Sequence, residues 1–146
     1  MPPLDLVLRT VNALRAHAAV SALGGSGLLA ALGLTDRVRD WDLTTDAEPE
    51  VVAAALGAAG LEHRQVTAGD DRFATRARFR VDGDDHEVDL LVGFGFRVNG
   101  STIPMPTRVT GHWRDLPLGD PVVWAQAYRL MGRTERADSL QTWLDR

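Results

Sequence analysis

The chain has 146 residues, a formal net charge of −4 and 45% hydrophobic residues. This length suits one domain around one hydrophobic core, and the composition is that of a folded protein. The negative charge argues against bulk attraction to nucleic acid and favours a small anionic ligand bound with a metal ion. The lack of cysteine excludes disulfides and thiolate metal sites. Because no apolar run is long enough to span a membrane, we expect a cytoplasmic protein without membrane contact.

The first part of the chain predicts a helix, a short strand, a glycine turn and a second helix. Apolar residues at helical spacing indicate an opening helix over residues 4–18. An apolar strand follows over residues 20–23, and Gly24 and Gly25 break it. Ser26 then lies where the N-cap of the next helix is expected.

The next segment predicts a half-buried strand followed by a helix. In "DWDLT", two apolar residues alternate with polar ones, which places Asp40 and Asp42 on the same face of the strand. Residues 49–59 then form a predicted helix, with acidic residues near its start and Gly60 after its end.

The second half of the chain predicts two long strands, a hairpin and two closing helices. Residues 73–81 alternate with period two, a turn centred on Asp82 and Gly83 follows, and a second strand returns in "HEVDLLVGF". The remaining elements are a hairpin around Asn99 and Gly100 and two helices over residues 121–145 that Gly132 separates. We therefore predict a single α+β domain over residues 1–146, with a mixed sheet and helices packed mainly on one face.

Three features of this pattern are candidates for a functional site, and each has an ordinary structural alternative. The Gly-Gly-Ser turn at residues 24–26 offers backbone N–H groups to a phosphate, or is a tight turn with a helix cap. Asp40 and Asp42 offer oxygen ligands to a divalent cation, or form a solvated strand end. Asp89, between apolar neighbours, is costly to bury without a cation or hydrogen bonds, unless it faces water on an edge strand.

These features form one site if the strands carrying the aspartates are neighbours. Asp40, Asp42 and Asp89 would then converge near Ser26. Three close carboxylates repel one another, and two metal ions with a phosphate chain would neutralise both sides of the site.

The ordered set of "GGS", "DWD" and a lone aspartate in "VDLLV" resembles the DNA polymerase beta-like nucleotidyltransferase superfamily over residues 20–92. The resemblance implies the nucleotidyltransferase fold and a site with two Mg²⁺ ions, with Mn²⁺ as the alternative ion. It assigns nucleotide binding to Gly24, Gly25 and Ser26. By the same resemblance, three residues serve as metal ligands and catalytic groups, the last also helping to activate the attacking hydroxyl: Asp40, Asp42 and Asp89.

Two local resemblances narrow the implied activity. Residues 39–52 are similar to the catalytic head of CCA-adding transfer-RNA nucleotidyltransferases, although "GLLAAL" stands where those enzymes carry an arginine–aspartate pair. Residues 120–144 resemble the closing helices of small bacterial stand-alone nucleotidyltransferases, including relatives of antibiotic adenylyltransferases. The implied reaction moves a nucleoside monophosphate, AMP from ATP, to a hydroxyl of an unknown small molecule or macromolecule and releases pyrophosphate.

A second interpretation from a different class is a non-catalytic or regulatory protein with the same fold, such as an antitoxin-like binding partner. The three mutually repelling acids favour catalysis, because a scaffold that only binds a partner has no need of them. Assembly as a homodimer is left open.

Several other side chains are open between two roles. Arg37 and Arg39 either reach a phosphate or are solvated loop residues, and Arg129 and Arg133 either face the nucleotide or face solvent. Three residues at helical spacing predict a core stripe rather than a base-stacking platform: Trp124, Tyr128 and Met131.

Overall fold

The chain folds into five helices and nine strands, and the computed structural model describes all residues from 1 to 146. The helices are α1 (Asp5–Ala16), α2 (Gly25–Ala31), α3 (Pro49–Ala58), α4 (Pro121–Leu130) and α5 (Thr134–Leu144). The strands are β1 (Ser21–Gly24), β2 (Trp41–Thr45), β3 (His63–Val66), β4 (Ala77–Asp82), β5 (Glu87–Val92), β6 (Gly95–Val98), β7 (Ser101–Pro104), β8 (Gly111–Trp113) and β9 (Leu116–Leu118). The predicted α+β class is therefore confirmed.

Seven of the strands form one mixed sheet in the order β3-β4-β5-β2-β1-β9-β8, and β6 pairs only with β7. The pairs β2·β5 and β1·β9 are parallel, and the other neighbours in the sheet are antiparallel. Strand β2 therefore lies between β1 and β5, which brings the glycine turn and both aspartate-bearing strands together at the centre of the sheet.

The two faces of β5 differ in polarity, and this difference separates the core from the candidate site. Val88 and Leu90 are buried in the same hydrophobic core as Val7 and Leu14 of α1, and α1 packs against α3, β1 and β5. Asp89 alternates with these residues and lies on the other face of the sheet. The period-two pattern thus buries the apolar residues beneath a helix and leaves a carboxylate on the opposite face.

Most of the predicted elements are confirmed, with shifts of a few residues at their ends. The opening helix ends at Ala16, and the alternating pattern of residues 73–81 is a strand only from Ala77 onward. Upstream of that strand, Phe73 makes only an isolated bridge to Phe96. The hairpin at Asn99 and Gly100 is present, and both of its turn residues have positive φ angles, as a two-residue hairpin turn requires.

The predicted N-cap role of Ser26 is wrong. Gly24 is the N-cap, the helix begins at Gly25, and no side chain caps it. Gly24 still pairs with Asp42 in the sheet, so the chain passes from strand to helix through Gly25 alone, which adopts a φ of +56°. That left-handed conformation is one that glycine adopts at little cost, and Ser26 is consequently displaced into the first turn.

Strands β3, β8 and β9 are additions to the predicted elements. Strand β9 is the most consequential, because it pairs in parallel with β1 and carries the chain alongside the glycine turn. Its sequence is Leu116-Pro117-Leu118, and proline within a short run argues against a strand because it lacks a backbone donor. None of the helices combines the length and hydropathy that a bilayer crossing needs, since even α1 has only 12 residues.

Replacing Gly24 by alanine is expected to destabilise the protein by roughly 1–3 kcal/mol, because overpacking forces a buried group to move. The added Cβ would collide with the indole of Trp124, which is only 5% exposed. Gly57→Ala is the matched control: its Cβ meets no atom within 4 Å, and alanine in a helix is favoured over glycine by up to about 1 kcal/mol. Urea unfolding of both variants measures the difference, and equal stability of the two would contradict the packing argument.

Candidate active site

Asp42 and Asp89 are direct neighbours on the two parallel strands at the centre of the sheet. Asp42 of β2 is in register with Asp89 of β5 on one side and with Gly24 of β1 on the other. Directly opposed residues on neighbouring strands point to the same face, and both aspartates are half-buried. The sheet therefore supplies the strand neighbourhood that a shared site needs.

Asp40 lies beside this pair but has a different role in the structure. Its Oδ1 accepts a hydrogen bond from the backbone N–H of Glu87 at 2.8 Å, which ties the start of β5 to the segment before β2. No group of three or more histidine, aspartate or glutamate side chains is arranged to hold a metal ion. The structure thus makes direct neighbours of Asp42 and Asp89, and it places Asp40 at the edge of the same site.

An arginine absent from the sequence-based candidates holds Asp89. Arg78 of β4 donates from Nε to Oδ1 at 2.8 Å and from Nη2 to Oδ2 at 2.6 Å, a bidentate pair with both side chains half-buried. The signal for it lies in "RARFRV", because Arg78 and Arg80 alternate with the buried Phe79. Their side chains must therefore point to the face that carries Asp89.

The surroundings of Asp42 raise the pKa of its carboxyl group to about 7. The main cause is burial, which removes water from the charged form, and the negative charges of Asp89 and Asp40 add to it. The positive charges of Arg78 and Arg136 offset part of this effect. Asp42 is thus an acid held where negative charge is unfavourable unless a cation lies nearby.

The glycine turn packs directly against Asp42. A Cβ at Gly25 would collide with Oδ2 of Asp42, and the φ of +56° there also disfavours any other residue. The two glycines therefore have a steric cause, which is the close approach of the turn to the acid on one side and to Trp124 on the other.

Two cavities meet at Asp42 and share Arg136 of α5 as well. The first, which we call the polar cavity, has a volume of about 370 Å³ and no hydrophobic lining residue. It is lined by Ser26, Arg37, Arg39, Asp40, Asp42 and Arg136. The second, the aromatic cavity, has a volume of about 220 Å³. Besides the shared residues, its walls include Phe73, Phe94, Trp124, Tyr128, Arg78, Asp89 and Arg133.

The structure separates the arginines whose roles the sequence leaves open. Arg37 and Arg39 are exposed but line the polar cavity, and Arg133 lines the aromatic cavity. Arg129 instead donates to Gln141 at 3.0 Å, on the surface between α4 and α5. The predicted core stripe is confirmed for Trp124 and Tyr128, which are 5% and 2% exposed, although their rings also form part of the cavity wall.

Arg136 is the residue that the sequence-based candidates miss at the junction of the cavities. It donates to the hydroxyl of Tyr128 at 3.4 Å, and its guanidinium carbon lies 5.6 Å from the centre of that ring. It stands in the first turn of α5, where the helix macrodipole disfavours a cation. An arginine kept in that position is a signal that a sequence reading can use.

The donor set fits a divalent cation at Asp42 and Asp89. Carboxylate oxygens are the ligands that Mg²⁺ prefers, and a cation there would relieve the repulsion that raises the pKa of Asp42. Arg78 supplies positive charge to Asp89 in this structure, so a cation that uses both acids must share Asp89 with the guanidinium or displace it.

Comparison with known proteins gives likeness in structure and none in sequence families. No protein-family model matches the sequence, and no curated protein matches it. TM1012 of Thermotoga maritima, a protein assigned to the nucleotidyltransferases, superposes with a TM-score of 0.69 at 20% identity, over 97% of this chain and 92% of that one.

The aminoglycoside-resistance factor ANT(2″)-Ia is similar to the chain in two solved structures. Its complex with adenylyl-2″-tobramycin superposes with a TM-score of 0.64 at 15% identity, over 97% of this chain and 88% of that one. Its solution structure gives a TM-score of 0.62 at 14% identity, over 96% and 81%. With the sheet order and the central aspartates, this likeness identifies the fold of the chain as the nucleotidyltransferase fold.

Proposed function

We propose that the chain is a metal-dependent nucleotidyltransferase that moves a nucleoside monophosphate, AMP from ATP, to a hydroxyl acceptor and releases pyrophosphate. The observation that carries the proposal is the register of Asp42 with Asp89 beside the Gly24–Ser26 turn, where two cavities meet. The complex of ANT(2″)-Ia with adenylyl-2″-tobramycin supports an adenylyl group as the one transferred.

The polar cavity suits the triphosphate. Arg37, Arg39 and Arg136 line it, and Ser26 offers a hydroxyl from the first turn of α2. Arginine guanidinium groups bind phosphate oxygens through paired N–H donors. Gly24 and Gly25 contribute by letting the backbone approach the site closely.

The aspartates divide the remaining work. Asp42 and Asp89 would hold Mg²⁺, with Asp40 completing the set after release of its bond to the Glu87 N–H. When bound, the metal supplies Lewis-acid stabilisation of the charge that develops on the phosphate oxygens. Asp89 additionally accepts the proton of the acceptor hydroxyl, which requires that at least one of its oxygens leaves Arg78.

The transfer itself is a displacement at the α-phosphorus. The acceptor oxygen forms a bond to the α-phosphorus, and the bond from that phosphorus to the bridging oxygen of pyrophosphate breaks. The electron pair of the broken bond leaves with pyrophosphate, and the hydroxyl proton passes to a carboxylate. Such reactions depend mainly on positioning and on charge stabilisation, which are what this cluster of arginines and aspartates offers.

A non-catalytic, antitoxin-like role is the second candidate, and one observation favours it. The bidentate ion pair of Arg78 with Asp89 neutralises that acid without any metal. A protein that keeps this arrangement permanently has replaced a reactive cation by a structural one. The two candidates therefore differ in whether the chain binds a nucleoside triphosphate in a metal-dependent way.

Isothermal titration calorimetry with ATP in Mg²⁺, in Mn²⁺ and in EDTA tests the proposal. We expect binding only with a divalent cation, and Asp42→Asn is expected to weaken it at least about tenfold, since loss of one charged ligand costs about 1.4 kcal/mol or more. Asp36→Asn, at an exposed position outside both cavities, is the matched control and should bind like the wild type.

Parallel titrations with GTP, CTP and UTP determine the donor preference. If none of the four triphosphates binds in a metal-dependent way, the enzymatic function is contradicted and the binding-partner role gains its main support. If ATP binds equally in EDTA, the metal dependence alone is wrong.

A further inference from the structure

The two cavities at Asp42 have unequal parts in a transfer reaction, because the attacking and leaving oxygens lie on opposite sides of the phosphorus. In-line displacement requires the acceptor hydroxyl to approach from the side away from the departing pyrophosphate. The polar cavity contains the arginines suited to pyrophosphate and has no apolar wall. The acceptor must therefore come from the aromatic cavity, which meets the polar one at Asp42 and Arg136.

The walls of the aromatic cavity favour a flat molecule. The rings of Phe73, Phe94, Trp124 and Tyr128 contribute to them, and successive rings are packed with centroids 5.1–5.7 Å apart through Phe96. A volume of about 220 Å³ lies below the roughly 300–1,000 Å³ of sites for drug-sized ligands. A single ring with a short substituent fits this space better than a multi-ring compound.

The charges of the same walls favour an anion. Three arginines line the aromatic cavity, Arg78, Arg133 and Arg136, against two aspartates, Asp42 and Asp89. Arg78 is paired with Asp89, whereas Arg133 and Arg136 form no ion pair with any carboxylate of the protein. The cavity thus presents two uncompensated guanidinium groups in a protein whose net charge is −4.

We propose that the acceptor is a small aromatic hydroxyl compound bearing an anionic group, bound in the aromatic cavity with that group at Arg133 and Arg136. This inference rests on the proposed function and names its substrate class. A polyamine such as tobramycin, the molecule present in the ANT(2″)-Ia complex, would bring several ammonium groups against these arginines and is excluded as an acceptor. Like charges in a partly buried site repel strongly because water screens them poorly.

A matched series of probes measures the charge preference without any nucleotide. 3-(4-Hydroxyphenyl)propionate, tyrosol and tyramine share a phenol ring on a two-carbon chain and end in an anionic, a neutral and a cationic group. Each is titrated into the protein while the indole N–H signal of Trp124 is followed by NMR, with Trp124→Phe identifying that signal. Tobramycin is titrated in the same way.

We expect the propionate to bind at least about tenfold more tightly than tyramine, since one favourable charge contact is worth about 1.4 kcal/mol. In Arg133→Gln the ratio should fall below about threefold by the same arithmetic. Arg129→Gln is the control on the neighbouring helix, because Arg129 bonds to Gln141 and lines neither cavity. It should retain the wild-type ratio.

Three results would overturn the inference: tyramine or tobramycin binding as tightly as the propionate, no change of the Trp124 signal with any probe up to about 10 mM, or an unchanged preference in Arg133→Gln. These results leave the proposed function intact, because Mg²⁺-dependent ATP binding is measured separately. Failure of ATP to bind would instead remove the transfer reaction, and with it the assignment of the cavity to an acceptor.

Discussion

Replacing Asp42 by asparagine is expected to stabilise the protein at pH 8 by roughly 2–4 kcal/mol in the absence of divalent cations, and to change its stability little near pH 4. The cause is the raised pKa of Asp42, about 7 in the folded protein against 3.8 for the unperturbed group. Between these values the unfolded chain is ionised while the folded protein holds the proton. Unfolding then releases a proton, so the stability contributed by this group is lost as the pH rises from about 4 to about 7.

Urea unfolding in EDTA at pH 4, 6 and 8 measures this effect. The amide introduced by Asp42→Asn carries no charge, so the variant escapes the cost that the wild type bears above pH 7. Asp36→Asn, at an exposed loop position, controls for the general loss of one negative charge. The argument fails if Asp42→Asn is less stable than the wild type at pH 8, or if its advantage does not change between pH 4 and pH 8.

The sequence predicts the aspartate-bearing strands because their patterns are local. In β2 and β5 the buried residues alternate with the aspartates, so the period of two shows both the element and the face on which each acid lies. The pairing of these strands is a long-range property that follows from the whole sheet order. In this case the spacing of the motif, read through its resemblance to a known superfamily, supplies what periodicity does not.

The positive partners of the site are harder to read from the sequence. Arg78 comes from β4 and Arg136 from α5, and nothing local says that these elements meet at Asp42. The missed strand β9 and the displaced Ser26 have a related cause. A proline within a three-residue strand and a glycine at positive φ are both forced by neighbours distant in the chain, namely β1 and Asp42.

Replacing Asp89 by asparagine is expected to reduce nucleotidyl transfer by about 10²–10⁴-fold, the usual contribution of a general base, while Mg²⁺-dependent ATP binding largely remains. The asparagine keeps the size of the side chain but cannot accept the proton of the hydroxyl. Transfer is followed as pyrophosphate release and as movement of label from [α-³²P]ATP into a small-molecule extract of cells. Glu87→Gln is the matched control, because Glu87 lies on the same face of β5 and pairs with Arg64 and Arg80 outside both cavities.

Arg78→Gln separates the two candidate functions at the same position. If Arg78 only holds Asp89 until substrates bind, the variant frees the carboxylate and keeps measurable transfer, although the loss of positive charge raises the pKa of Asp42 further. If the ion pair is a permanent structural substitute for a cation, neither the wild type nor Arg78→Gln transfers label, and the variant is only less stable. Unchanged turnover in Asp89→Asn would contradict the proton-accepting role, because Asp42 would then be the only strand carboxylate that the reaction needs.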